Sequence, residues 1–445
     1  MGKTTTSIGA TNRTGTGRKT ALAARLLAVW LGLSTLALAG EPTSAAPVDP
    51  PVDPEAPTSA AVAFAVQSAC ELLLENQELY EPDRPVGRLS DSGLAAWQGK
   101  ELDRLQELRA DAGDEAAEWP YEGVYRVSPD GRIPPGYRVG GTAIVCHALL
   151  EAPGLDDTRR AAILRGVHFM LDMIAEDDGL APAPQERYDV RGWGQTYALD
   201  FLVRAQGAEL FAEDEDLAER DTDTVAHLLT CLAAGELEDG GWNYAGPRGF
   251  SPFMTGATLL ALYRADAAGH EVDAEMVERA LDALETGRGP STAYAYSGAL
   301  RKEVAMPGSA ARSSIAELAL FLGGRTDEAQ LAKAVDAFFV EENWQALLVR
   351  KSQQGTHIGP YGVAPYYFFF GHTYAAVAAE HLADDERETR RDAMRALLWR
   401  TLEERGGWND RIFPRTESYS TAMAVLALVA PELSPVPAWD GTPAK

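Results

Sequence analysis

Six short apolar segments, each opening on a small hydroxyl residue, recur along this chain at a nearly fixed interval. A repeat of that kind restricts the fold more than any other feature of the sequence. The two clearest copies are GGWNYAGPRGFSPFMTGATLLALYRA from Gly240 and GGWNDRIFPRTESYSTAMAVLALVA from Gly406. In both, a tryptophan (Trp242, Trp408) precedes a threonine (Thr255, Thr421) by 13 residues, and the threonine opens a Leu-rich helix of small residues. The same frame finds further helix starts at Thr142, Thr196, Ser314 and Thr373, so successive hydroxyls lie 54, 59, 59, 59 and 48 residues apart. That period is one helical hairpin with its loops.

Between these segments lie six amphipathic ones, at about 59–77, 157–175, 217–235, 273–286, 327–350 and 385–403. In the second, Ile163, Val167, Met170, Leu171 and Ile174 fall at helical intervals with charged residues between them. An almost wholly apolar helix alternating with an amphipathic one has a simple packing solution: the apolar set forms an inner ring and the amphipathic set an outer ring facing water. Alanines on the inner set (Ala375, Ala376, Ala378, Ala379; Ala422, Ala424, Ala427) let neighbours approach closely. The sequence therefore predicts an all-α toroid (barrel) of six helical hairpins over 59–430. One stretch departs from the repeat, an insertion at about 79–139 with a charged helix near 99–110 and the aromatic run around Trp119.

The chain ends read differently. Residues 1–39 carry Lys3, Arg13, Arg18, Lys19 and Arg25, no acid, an apolar stretch from Leu26 to Leu36, and a small-x-small Ala37-Leu38-Ala39. This is the pattern of a signal peptide, with a retained membrane anchor as the alternative. Residues 40–58 form a Pro/Ala-rich linker and 431–445 a similar C-terminal tail. The formal charge of −26 becomes −31 if the five basic residues of the signal leave. Such acidity argues against nucleic acid as a partner and disfavours anionic polysaccharides. Cys70, Cys146 and Cys231 are too few and too widely spaced for a disulfide framework, and imply buried free thiols. No zinc spacing is present, and no metal or cofactor is expected.

The GGW turn followed by a Thr/Ser-Ala-Leu helix resembles the QW-type repeat of squalene and oxidosqualene cyclases, and the repeat of protein prenyltransferase β subunits. The chain is thus similar to the terpenoid cyclase and protein prenyltransferase superfamily over nearly all of 59–430. The resemblance implies an (α/α)6 toroid around a cavity for an isoprenoid, hence an apolar small molecule as ligand. If the protein is an enzyme, the resemblance implies a cyclase-like isomerase or transferase. The departures are substantial. The glutamine expected six residues before each tryptophan is Glu236 or Leu402, and no inner helix opens on an acidic cyclase motif. Phe370-Gly-His-Thr-Tyr374 matches the position of the prenyltransferase zinc histidine, but the accompanying Asp-x-Cys pair is missing, as the preceding inner helix reads Ala311-Arg-Ser-Ser-Ile-Ala-Glu317.

Candidate chemistry therefore rests on single residues. His372, among Tyr366 to Phe370 and Tyr374, suits either a general base or cation stabiliser, or a hydrogen-bonded core histidine. Asp200 and Glu317 are the acids central to otherwise apolar inner helices, and each demands a partner or a wet cavity. Arg204 and Arg312 are the nearest cations in sequence, so a structural ion pair and a functional site are both open. His372, Asp200 and Glu317 are the catalytic candidates. Tyr197, Tyr374, Arg312 and Gln195 are the substrate-binding ones. His147 beside Cys146 is a poor nucleophile pair, since helix neighbours point about 100° apart. Tyr121, Tyr125 and Tyr137 either line the cavity mouth or anchor the insertion. Two other functions stay open: a structural or protein-binding toroid with a filled centre, and an extracellular carbohydrate-active toroid with an open, carboxylate-lined one.

Overall fold

The structure, a computed structural model, describes residues 57–80, 116–121, 133–184, 190–244, 246–351, 363–410 and 415–441. The expected signal, the linker up to residue 56, the charged helix near 99–110 and Tyr125 lie outside the described residues.

The inner helices are α2 (Pro135–Glu151), α4 (Arg191–Gly207), α6 (Pro252–Ala267), α8 (Ala310–Leu322), α11 (Tyr367–Ala379) and α13 (Thr416–Leu428). The outer ones are α1 (Ser59–Glu75), α3 (Asp157–Glu176), α5 (Glu215–Ala234), α7 (Ala274–Gly287), the pair α9 (Glu328–Phe339) and α10 (Glu341–Arg350), and α12 (Asp384–Trp399). Successive inner helices pack side by side, and α13 packs back on α2, which closes an (α/α)6 toroid. Five inner helices pack on the outer helix that follows them, whereas α13 packs on α1, so the last hairpin joins the two ends of the chain. The only strands among the described residues, β1 (Glu78–Leu79) and β2 (Ala117–Glu118), pair antiparallel and tie the insertion to the end of α1. The fifth outer segment, expected as one helix over 327–350, breaks at Val340, which adopts φ −63° and ψ 122°.

Burial follows the two patterns. In α6 every residue from Pro252 to Ala265 is buried. In α7 the buried set Met276, Val277, Ala280, Leu281 and Leu284 is the apolar stripe of a helix wet on its other side. Capping differs as well. Thr58, Asp156, Asp214, Asp273 and Asp327 cap α1, α3, α5, α7 and α9 by accepting backbone N–H groups. None of the six inner helices has a side-chain cap. All three thiols are buried and free.

The repeat tryptophan acts as a staple. The Trp242 N–H donates to Thr255 Oγ1 at 3.0 Å, that hydroxyl donates back to the Trp242 carbonyl at 3.1 Å, and the indole N–H donates to Leu232 O at 2.8 Å in the last turn of α5. Trp408 repeats all three bonds with Thr421 and with Leu398 O of α12. Each indole thereby satisfies a carbonyl at an outer helix end that has no partner within its helix, while the backbone locks onto the next inner helix. The glycine pair makes the turn. Gly240 has φ +84°, and a Cβ there would lie 2.3 Å from Arg279 O. Gly406 has the same φ against Ser68 of α1.

Trp119 is a third copy, unrecognised in sequence because its threonine lies 23 residues on. Its N–H donates to Thr142 Oγ1 at 2.9 Å and its indole to Leu73 O of α1 at 2.7 Å. The C-terminal segment is also more ordered than its composition implied. Trp439 stacks on Tyr263 (5.8 Å, 24°), its N–H donates to Leu322 O, and Val436 is buried. Replacing Thr142, Thr255 or Thr421 by valine orphans a buried tryptophan N–H, so each variant should lose about 1–3 kcal/mol in denaturant unfolding. A Thr142→Val variant as stable as the parent would remove Trp119 from the repeat.

Candidate functional site

All six inner helices begin at the same end of the ring, and their side chains sort by depth along the axis. First-turn residues form an aromatic floor: Tyr137 of α2, Trp193 of α4, Phe253 of α6, Tyr366 and Phe370 at the start of α11, and Tyr419 of α13, completed by Tyr121 and Tyr244. The rings pack edge-to-face or tilted, as in Tyr121–Tyr419 at 4.4 Å, Tyr137–Trp193 at 5.6 Å and Phe253–Phe370 at 5.4 Å. About 20 Å³ is left between them. On one side the Tyr244 hydroxyl bonds those of Tyr296 and, at 2.8 Å, Tyr366. Burial pushes the Tyr244 and Tyr366 phenols up, so they stay protonated. The floor also touches strain, because Val190, which opens α4, holds φ +52°, a conformation that β-branched residues rarely adopt.

Deeper along the axis lies a cavity of about 40 Å³ with a mostly apolar lining and a few charged groups, room for a few waters. It is walled by α2, α4, α6, α11 and α13, and sealed by Leu433 and Val436 of the C-terminal segment. Asp200 sits here. Arg204 Nε approaches it at 3.0 Å, Arg264 Nε at 3.2 Å and His147 Nδ1 at 3.7 Å, and Arg204 also reaches Glu151 at 3.2 Å. Burial raises the Asp200 pKa, but Arg204 and Arg264 outweigh it and hold the carboxyl below the usual range. Burial, then Arg204, keep His147 neutral. Tyr374 donates to Tyr197 at 3.3 Å across the cavity. The structure thus brings Asp200, Tyr197 and Tyr374 together and adds His147 and Arg264. Only the tertiary fold carries Arg264, 64 residues on in the sequence, to Asp200.

The remaining candidates lie elsewhere. His372 is fully buried against the outer ring. The Trp344 indole donates to its Nε2 at 2.9 Å, so its Nδ1 carries the proton and donates to Phe368 O at 2.7 Å. Both ring nitrogens are occupied, and burial lowers its pKa to about 4. Glu317 is likewise enclosed, bound by Arg288 at 2.6 Å and by the Tyr294 hydroxyl at 2.7 Å; its partner is Arg288, not Arg312. Gln195 donates to Leu180 O in the wall. Arg312 lies outside the cavity, over the rings of Tyr296 and Tyr367. Cys146 Sγ turns outward to Ile163 O while His147 turns inward. Among the described residues no group of His, Cys, Asp and Glu is arranged to hold a metal ion, and no helix is long and apolar enough to cross a membrane.

No family model matches the sequence, and no curated protein does. Solved structures do align. A GH76A alpha-1,6-mannanase from a Salegentibacter species shares 12% identity over 82% of this chain and 98% of its own, with a TM-score of 0.44. A possible member of the GH105 family from Salmonella enterica shares 12% over 88% and 99%, also at 0.44. A protein from Actinoplanes shares 14% over 83% and 99%, at 0.40. An inactive variant of the mannanase is in complex with alpha-1,6-mannotriose (12%, 83% and 99%, 0.44).

These findings correct the expected kinship with squalene cyclases and prenyltransferases, and with it the cyclase-like isomerase or transferase. The named glycoside hydrolases are carbohydrate enzymes, and the ligand seen in one of them is a saccharide. The expected apolar small molecule is corrected by volume. Sites for organic ligands enclose about 300–1,000 Å³, whereas the ring's centre leaves about 40 Å³.

The titrating groups predict a specific pH response. Burial lowers His372 and His381 to about 4 and His147 well below 6.5, so between pH 6.5 and 4 the unfolded chain binds protons there that the folded chain does not. Stability should fall as pH falls through that window. Asp221 opposes this: burial raises it to about 7, so above its unfolded value of 3.8 the folded chain keeps a proton that the unfolded chain releases. Asp221→Asn should therefore steepen the loss by up to about 1.4 kcal/mol per pH unit, measured by denaturant midpoints from pH 7 to 4. An unchanged slope would contradict the burial of that carboxyl.

Proposed function

We propose that the protein is an exported, carbohydrate-active (α/α)6 toroid that takes a saccharide across the aromatic mouth of its inner ring. The observation that carries this reading is the floor itself: eight aromatic residues gathered from the starts of five inner helices and the segments before them. A pyranose offers an apolar C–H face and a rim of hydroxyls. Aromatic rings bury the face, while phenol and indole groups bond the rim. The rings leave about 20 Å³ between them and seven of the eight residues are only 2–8% exposed, so the sugar meets the outer rim of the floor and does not enter it. Export rests on the basic, apolar and small-x-small run of residues 1–39.

Cleavage of a glycosidic bond takes two carboxylates about 5–9.5 Å apart. The eight lining residues include none, so this floor is assigned to recognition. The filled centre favours a second reading, a non-catalytic scaffold that binds a protein. Calorimetric titration of the mature protein with a panel of oligosaccharides, with reducing-end release followed in parallel, separates the two. Binding should be detected, and Tyr366→Phe and Trp193→Ala should weaken it by about threefold and tenfold, the loss of one hydrogen bond and one ring. No saccharide bound by the folded parent would leave the scaffold reading.

A further inference from the structure

Arg312 is the third residue of α8, the inner helix that gives no ring to the floor. Its side chain is buried, with the residue 4% exposed. Nη1 donates to Gly308 O and Nη2 to Tyr294 O at 2.8 Å. The remaining polar neighbour of the guanidinium is the Tyr367 hydroxyl. Its Cζ lies 5.9 Å from the ring centroids of both Tyr296 and Tyr367, and the Tyr296 hydroxyl bonds that of Tyr244 in the floor. Burial disfavours the charged form, and the groups that restore it are tyrosines.

Among the described residues no carboxylate pairs with this guanidinium. Glu317 on the same helix is held by Arg288. Three other cations near the inner helix starts are matched, Arg138 to Glu118, Arg405 to Glu417 and Arg415 to Glu78. Asp410, buried beside Tyr419, faces the floor from the segment before α13. A buried charge without a counter-charge is costly, and the position compounds it. All six inner helices start around this mouth without a side-chain cap, and each start carries roughly half a positive charge. The net charge of −26 does not cancel this field, since exposed charges are screened over about 8 Å at physiological ionic strength.

Building on the saccharide reading above, we infer that the saccharide taken at this mouth bears an oxyanion, a carboxylate or a sulfate, and that Arg312 is the residue that selects it. The anion accepts from the phenols of the floor, and Arg312 supplies the matching charge from behind them. The expectation from net charge that anionic polysaccharides are disfavoured is thereby reversed by local geometry.

The test is calorimetric titration of the mature protein with three oligosaccharide sets of equal length: a neutral hexose oligomer, the corresponding uronic acid oligomer, and the sulfated neutral oligomer. One charged set should bind at least tenfold tighter than the neutral one, with an affinity that falls as salt rises, and which set does so identifies the oxyanion. Arg312→Gln should abolish that preference while leaving neutral binding within about threefold, and Arg312→Lys should keep part of it. Neutral binding equal to or tighter than both charged sets, or a preference that survives Arg312→Gln, overturns the inference and leaves saccharide recognition standing. Binding of no set removes both. Should Arg312→Gln fail to fold by circular dichroism, the parent's preference and the Arg312→Lys variant decide.

Discussion

The three-point bond of the repeat tryptophan is the constraint on which the ring depends. One indole N–H takes up a loose carbonyl at the end of an outer helix, and the same residue's backbone is clasped by the threonine of the next inner helix. An outer helix end and an inner helix start are thereby fixed together at the cost of a single residue. Trp242 and Trp408 fix the joints from α5 to α6 and from α12 to α13, and Trp119 fixes the joint from α1 to α2 across the insertion. In the fifth wall the outer helix α10 carries Trp344, whose buried indole N–H donates to His372, a donor that is costly to leave unmade.

Because every joint runs from an outer end to an inner start, the inner helices are all parallel. That gives the ring two chemically different ends. Where the helices start, aromatic first-turn residues meet above uncapped N-termini. Toward their far ends, Asp200, Glu151, Arg204 and Arg264 form a matched cluster beneath Leu433 and Val436. The matched cluster has the marks of structure: opposite charges in equal number, and a segment of chain packed over it. The aromatic end has the marks of recognition, with convergent rings, phenol hydroxyls on one side and a buried cation without a counter-charge.

Much of this was legible in particular residues. The hydroxyl spacing from Thr142 to Thr421 was enough for six hairpins, and the contrast between a mostly apolar α6 and a striped α7 was enough for two rings. The pairing of Asp200 with Arg204 could be read from one helical turn. Trp119 could not be assigned by spacing, because an insertion loop adds residues without moving the joint; the usable signal was its recurrence between an outer and an inner helix. His147 was set aside for its neighbour Cys146, whereas its partner proved to be Asp200 on the next inner helix, which only packing of α2 against α4 brings close.

The sequence by itself determined that this chain makes six alternating hairpins, since helical periodicity and the burial of apolar stripes are local consequences of residue order. It did not determine what occupies the centre. Whether a ring of that size encloses hundreds of cubic ångströms or about 40 Å³ depends on how closely Tyr197, Tyr374, Leu260, Met423 and Val436 converge from separate elements. It likewise could not show that Glu317 would be claimed by Arg288, leaving Arg312 buried without a counter-charge. Charge pairing is a competition among groups distant in sequence, and only the closed ring sets the distances that decide it.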